Sequence, residues 1–209
     1  MGNRIELIVG LGNPDAEHLN TRHNAGFWFV DILARTHGSV FRLENRFHGE
    51  VAEIAVDNHR IRILKPMTYM NDSGRSVAAM TAYYKTPLEH VLVAYDELDL
   101  APGRVQLKFN GGHGGHNGMR DVLGCIGKIF WRLRLGIGHP GPENKSQVSN
   151  YVLQKPSSED QDAILDAALA AADTLPMLLD EGAERVKTRL HSRGVEAQPY
   201  KKTNENEPE

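Results

Sequence analysis

The stretch that most constrains this chain is Ile5 to Leu11, apolar except for Glu6 and ending in Gly10-Leu11-Gly12, with Asn13-Pro14 directly behind it. A short apolar run closed by an Asn-Pro turn reads as a buried strand rather than a helix. Residues 15–24 then lead into an amphipathic stretch, Phe27 to Thr36. Phe27, Val30, Leu33 and Ala34 fall on one helical face there, widened by Trp28 and Ile32. Thr21 or Asn24 is placed to cap this helix, and Gly38 ends it. A buried strand feeding a helix through a polar loop is the unit of an open α/β sheet. Sites in such sheets form at the carboxyl ends of strands. His23 and Asn24 lie at that junction, so His23 is the candidate catalytic base.

The rest of the chain repeats the alternation. Phe47 to Val56 and Arg60 to Leu64 read as two strands around Asp57-Asn58-His59. After the loop 66–71, Ser73 opens a helix rich in small residues that ends before Pro87. His90 to Tyr95 reads as a strand ending at Asp96, and Arg104 to Phe109 as a half-buried strand. The glycine-rich stretch 111–118 enters a short helix near Met119 to Leu123. Trp131 to Ile137 is another strand, with Leu133, Leu135 and Ile137 facing away from Arg132 and Arg134. Ser158 to Leu179 reads as a helix that Pro176 kinks or ends, and Gly182 to Ser192 as a second. These patterns predict an α/β fold: a single domain with a twisted mixed sheet and helices on both faces. It spans 1–193, with 194–209 a disordered hydrophilic tail.

Composition narrows the setting. One cysteine, Cys125, makes no internal disulfide, and its apolar neighbours predict a small buried side chain in a protein of the reducing cytoplasm. No stretch approaches the ~18 apolar residues of a membrane span, and no signal-peptide pattern opens the chain. The net charge of −3 hides a gradient. Residues 100–155 hold eight Lys and Arg against two Asp and Glu, net +6, whereas the segments on either side are acidic. Such a segment forms a local patch for phosphates, because a site feels the charge near it rather than the total.

Four loops at predicted strand ends carry candidate groups: Asn13 with His23, Asn71, Asp96, and His116 with Asn117. A carboxylate bonded to one imidazole nitrogen fixes the tautomer and makes the other nitrogen a better base. Carboxamides hold an amide-containing substrate or a water, or donate to an oxyanion. No G-x-S-x-G occurs, so the pattern points to direct attack by water on a carbonyl. The glycine-rich stretch lacks the Lys-Ser/Thr of a nucleotide P-loop, and its His113-x-x-His116 has no further ligand nearby for zinc. What it does allow is close backbone approach ahead of a helix start.

Together these residues resemble the bacterial-type peptidyl-tRNA hydrolase family. The resemblance rests on Ile5 to Pro14, Thr21-Arg22-His23-Asn24-Ala25-Gly26, Met70-Asn71-x-Ser73-Gly74, Asp96-Glu97-Leu98-Asp99-Leu100, Gly111 to Asn117, and Arg134-x-Gly136-Ile137-Gly138-His139-Pro140-Gly141. It runs to about His191. It implies a monomeric α/β enzyme, free of metal and cofactor, that cleaves the ester between a peptide and the terminal ribose of tRNA. By the resemblance, His23 is the base and Asp96 the carboxylate that orients it. Asn13 discriminates N-blocked from free aminoacyl groups, and Asn71 and Asn117 position substrate and water. Tyr69 and Met70 wall the peptide cleft with His116 beside them, and Lys108 and Arg134 clamp a tRNA phosphate. The chain departs from the family at His18, where a tyrosine is usual. Two rival readings on the same residues are an RNA-binding protein without catalysis and a small-molecule deacylase.

Overall fold

The computed structural model describes residues 4–192, so the predicted tail at 194–209 lies outside the described residues. Seven strands form one sheet. They are β1 (Leu7–Gly10), β2 (Arg42–Glu44), β3 (Gly49–Val56), β4 (His59–Pro66), β5 (Val91–Glu97), β6 (Val105–Phe109) and β7 (Trp131–Gly136). Their order across the sheet is β2-β3-β4-β1-β5-β7-β6. The middle four run parallel, while β3, β2 and β6 are antiparallel to their neighbours. The mixed sheet expected from the strand-helix alternation is therefore present. Its hairpin is β3–β4, turning at Asp57, which has φ +48°.

Helices α1 (Ala25–Thr36), α2 (Ser73–Tyr84), α3 (Asn117–Ile126), α4 (Val148–Val152), α5 (Ser158–Asp173), α6 (Leu175–Asp180) and α7 (Ala183–His191) cover both faces. One core gathers Phe29, Val30 and Leu33 of α1 with Ile164 and Ala168 of α5 against Ile8, Leu133 and Leu135. The other gathers Val77 and Met80 of α2 with Met119 and Val122 of α3 against Val9, Val93 and Tyr95. Alternation along each strand sends successive side chains to opposite cores.

Two glycines set how α1 meets the sheet. A Cβ on Gly10 would lie 2.3 Å from the Gly26 carbonyl oxygen, and one on Gly26 would lie 2.4 Å from that of Ala94. Only hydrogen fits at either position, so the first turn of α1 rests directly on the ends of β1 and β5. This contact places the 3-10 turn Arg22–Asn24 beside the end of β5.

Several expectations are corrected. Cys125 is exposed, on the solvent side of α3, because that helix buries Met119 and Val122 instead. Neither Thr21 nor Asn24 caps α1 with its side chain. Thr21 Oγ1 donates to the His18 carbonyl, and the Asn24 carboxamide is held by Asn13. The helix expected over 158–179 is two, α5 and α6, with Pro176 in the first turn of the second, where its missing N–H costs nothing. Strand β2 and helix α4 were not anticipated, both being too short to show a period.

Candidate active site

The carboxyl ends of β1, β4 and β5 lie side by side, and three of the four candidate loops leave from there. Asp96 is not past the end of its strand but inside β5, and it is buried. The fourth loop arrives differently. Because β6 is antiparallel, Phe109 pairs with Trp131 at the start of β7, at the other end of the sheet from Asp96. The glycine-rich loop 110–116 brings the chain back, and His116 Nε2 reaches Asp96 Oδ1 at 2.8 Å.

His23 Nδ1 meets the same oxygen at 2.9 Å. The two imidazoles lie 4.8 Å apart, centre to centre. Tautomers follow from the network. His116 Nδ1 accepts the Met119 N–H at 3.2 Å as the N-cap of α3, so its proton is on Nε2 and is donated to Asp96. His23 donates from Nδ1, which leaves its Nε2 as a free base. Burial raises the Asp96 carboxyl, yet the two imidazoles outweigh it and hold the group far below the ordinary carboxylate range. Burial also pushes the His23 imidazolium down, while the Asp96 charge and hydrogen bond push it up by more, for a net rise above its usual 6.5. His23, Asp96 and His116 also bring three metal-ligating atoms within 4.8 Å of one another. Within the trio, His23 Nδ1 and His116 Nε2 are engaged as donors to the carboxylate.

The carboxamides are held as definitely. Asn13 and Asn24 clasp each other, Asn13 N–H to Asn24 Oδ1 and Asn24 Nδ2 to the Asn13 carbonyl, both at 2.9 Å. Asn13 Oδ1 accepts the Met70 N–H at 2.9 Å. That bond fixes the amide's orientation and leaves Asn13 Nδ2 without a protein acceptor among the described residues. Asn117 Oδ1 accepts from Arg120 at 3.0 Å. Asn71 and Tyr69 are exposed, and Met70 is buried beneath them. The His18 ring is held by the Asp15 carboxylate.

Two cavities meet at His23. One, of about 320 Å³, is lined by Asn13, His18, Tyr69, Met70, Asn71 and Asn117. The other, of about 280 Å³, is lined by Asp96, Leu98, His116, Asn117 and the loop glycines Gly114 and Gly115. Ser149 and Val152 of α4 border both, and neither was anticipated from sequence. The signal that could have led to them is Arg22, whose neighbour is the candidate base. Arg22 Nη1 donates to the carbonyls of Tyr151, Gln154 and Lys155, each at 3.3 Å, and its guanidinium lies 4.1 Å from the Tyr151 ring centre. The roof of the cleft is thus tied to the turn that carries His23.

Lys108 and Arg134 do not enter either cavity. They line a third, of about 280 Å³, that shares Glu97 and Gly114 with the second. Lys108 is exposed. Arg134 pairs through Nε with Glu97 at 2.8 Å and through Nη1 with Gln106 at 2.7 Å, so part of its guanidinium is already engaged.

A sheet covered on both faces, with a paired imidazole and carboxylate at its strand ends, is the architecture of an α/β enzyme. The chain belongs to the peptidyl-tRNA hydrolase family: the family model described as Peptidyl-tRNA hydrolase matches residues 7–198. It is 48% identical over 189 residues to the peptidyl-tRNA hydrolase of Halorhodospira halophila, covering 90% of this chain and 96% of that protein. It is 46% identical over 191 residues to that of Alkalilimnicola ehrlichii, with the same coverage. The crystal structure of peptidyl-tRNA hydrolase from Acinetobacter baumannii superposes with a TM-score of 0.88 at 44% identity, over 92% of this chain and 97% of that one.

Proposed function

We propose that this protein hydrolyses the ester linking an N-blocked peptide to the terminal ribose of tRNA, with water as nucleophile. The observation that carries the reading is the His23–Asp96–His116 arrangement, which leaves one unprotonated imidazole nitrogen at the junction of two cavities in a chain of this family. Water at His23 Nε2 loses a proton to the imidazole as it attacks the ester carbonyl. Asp96 stabilises the imidazolium that forms, and the ribose oxygen leaves with the proton returned from His23. Free carboxamide donors on Asn13 and Asn117 are placed to hold the peptide and the oxyanion. A donor of that kind is worth roughly 3–4 kcal/mol in the transition state.

The cavity of Asn13, Tyr69, Met70 and Asn71 suits the peptide, whose amides find both donors and acceptors there. The cavity of Leu98, His116 and the loop glycines suits the terminal nucleoside. Lys108 and Arg134 then face the tRNA's phosphates at the edge of the site, in the segment that carries net +6. A charged free amine would be poorly solvated against these carboxamides, which favours N-blocked substrates. Among the described residues no helix is long and apolar enough to cross a membrane. We take the enzyme to work as a cytoplasmic monomer, its domain spanning 1–193.

The test is release of N-acetyl-aminoacyl groups from charged tRNA by this protein and by His23→Ala, with free aminoacyl-tRNA as control. Cleavage of the blocked substrate alone, lost in the variant, establishes reaction and base together. Tight, salt-sensitive tRNA binding without cleavage would instead establish a non-catalytic RNA-binding protein. A Michaelis constant indifferent to salt would favour a small-molecule deacylase.

A further inference from the structure

One side chain supports the glycine-rich loop from beneath. Arg132 of β7 is only 1% exposed and heads the fully buried side chains by size. It donates from Nη1 to the Gly112 carbonyl and from Nη2 to that of Gly111. Its Nε is buried and makes no hydrogen bond. No carboxylate among the described residues pairs with it. Lys108 stands directly opposite Arg132 on the β6–β7 ladder, and Arg134 lies two positions along β7 on the same face.

Such a grouping is unfavourable by itself. Like charges directly opposite on a ladder repel, and a buried cation without a counter-charge is costly. Burial pushes the Arg132 guanidinium down and outweighs the neighbouring Tyr95 hydroxyl, which pushes it up, and the Arg134 charge adds to the lowering. Glu97 offsets Arg134 at 2.8 Å, whereas Arg132 has beside it the neutral Tyr95 hydroxyl and no carboxylate partner among the described residues. The three cations line the third cavity, of about 280 Å³, together with the loop glycines, Tyr95, Glu97 and Asp99. The three cations outnumber the two carboxylates there, one of which is already paired with Arg134, and an open space with a net positive lining is complementary to an anion.

We propose that Arg132 is a positioning residue of the phosphate site: its buried charge is neutralised only when a phosphate of the tRNA backbone occupies the cavity, and its two-pronged contact holds Gly111 and Gly112 in place to receive it. The inference rests on the reading of Lys108 and Arg134 as phosphate-binding cations. It adds that the affinity of the site comes in large part from a cation buried in the cavity wall. Gly111, at φ +126°, adopts a conformation favoured only by glycine, and the fork from Arg132 keeps it there.

The experiment compares the full-length protein with Arg132→Met, Arg132→Gln, Arg132→Lys and Lys108→Ala. Thermal unfolding is followed in inorganic phosphate and in chloride of equal ionic strength, and hydrolysis of N-acetyl-aminoacyl-tRNA is followed across a salt series. Phosphate raises the melting temperature of the wild type by several degrees, and Arg132→Lys keeps most of that rise. Arg132→Met and Arg132→Gln lose it while melting in chloride within a few degrees of wild type. Both neutral variants raise KM about tenfold, change kcat by less than about threefold, and flatten the dependence of kcat/KM on salt, as expected when a charge is removed from a phosphate site. A purely structural arginine would leave the salt slope unchanged and would not be rescued by lysine. If the neutral variants keep the phosphate response while Lys108→Ala loses it, the role proposed for Arg132 falls and the phosphate site stands. If phosphate does not stabilise the wild type, the phosphate reading falls and the role of Arg132 with it.

Discussion

His23 and His116 share one acceptor atom: both imidazoles donate to Asp96 Oδ1, at 2.9 and 2.8 Å. The rings are not equivalent. The second nitrogen of His116 is occupied by the backbone of α3, and that of His23 is free. One carboxylate therefore aligns the proposed base and, through the helix N-cap, the adjacent Asn117.

The pH dependence follows from the signs. His23 acts as a base only when neutral, and its pKa is raised, with the Asp96 attraction outweighing burial. Activity therefore climbs with pH through a midpoint above 6.5 and levels off beyond it. Asp96→Asn removes the raising contribution and leaves burial, so the midpoint drops below 6.5, and kcat falls by roughly 10²–10⁴ as the tautomer is lost. A kcat/KM profile from pH 5 to 9 for both proteins checks this. A midpoint that stays put in the variant would remove His23 from the role of base.

Asn13→Asp tests the orientation of the carboxamide. An aspartate still accepts the Met70 N–H but presents an acceptor where Asn13 Nδ2 offers a donor. Loss of one such bond, about 1–1.5 kcal/mol, slows the N-blocked substrate roughly tenfold in kcat/KM. A carboxylate also attracts a free α-ammonium group, so the ratio of blocked to free substrate narrows. Paired rates on the two substrates measure it, and an unchanged ratio assigns discrimination elsewhere.

Arg22 joins the turn that carries His23 to the roof of the cleft. Arg22→Met leaves three carbonyls of residues 151–155 without their cation and costs about 2–3 kcal/mol in urea unfolding. Arg22→Lys recovers only part, since an ammonium cannot reproduce a planar guanidinium stacked on Tyr151. Ser149 and Val152 border both cavities, so KM rises in Arg22→Met at temperatures where it remains folded. A stable variant with unaltered KM would uncouple the roof from the turn.

Gly26→Ala is the most damaging small change. Its methyl would lie 2.4 Å from the Ala94 carbonyl oxygen and 2.5 Å from Leu11 backbone atoms, and backbone cannot rotate away. A loss of about 3 kcal/mol or more is expected, at the upper end for overpacking. Denaturant midpoints on purified protein decide it; a shift below about 1 kcal/mol would show that α1 can move off the sheet.

Cys125 reacts with a thiol reagent in the native state, because it is exposed. It does so more slowly than a free thiol at neutral pH, since partial burial and the charges of Asp121 and Asp72 raise its pKa. Thiol titration of folded and unfolded protein gives the two rates.

The alternation of strands and helices was legible because β1, β5 and β7 are long enough to show their apolar pattern, and so was the convergence of Asn13, His23, Asn71 and Asp96. What was not legible depends on partners distant in sequence. Arg132 alternates along β7 like any solvent-facing residue, and only the loop folded over it makes it buried. Cys125 sits among apolar neighbours, but the face that α3 buries is set by Met119 and Val122 meeting α2, which local composition does not specify. The capping role assigned to Asn24 failed for a similar reason: a stronger partner, the Asn13 backbone, comes from the strand before it.

The order of strands has a consequence for the protein's own synthesis. β1 emerges first but pairs with β4 and β5, β5 pairs with β7, and the roof at 148–152 comes later still. A growing chain of this protein is itself a peptidyl-tRNA. No prefix that stops short of α4 contains the assembled cleft, because His23, Asp96 and Ser149 are brought together only by contacts far apart in sequence. A chain still short of Asp96 therefore lacks the His23–Asp96 pair on which the proposed hydrolysis depends while it hangs from the tRNA that is extending it.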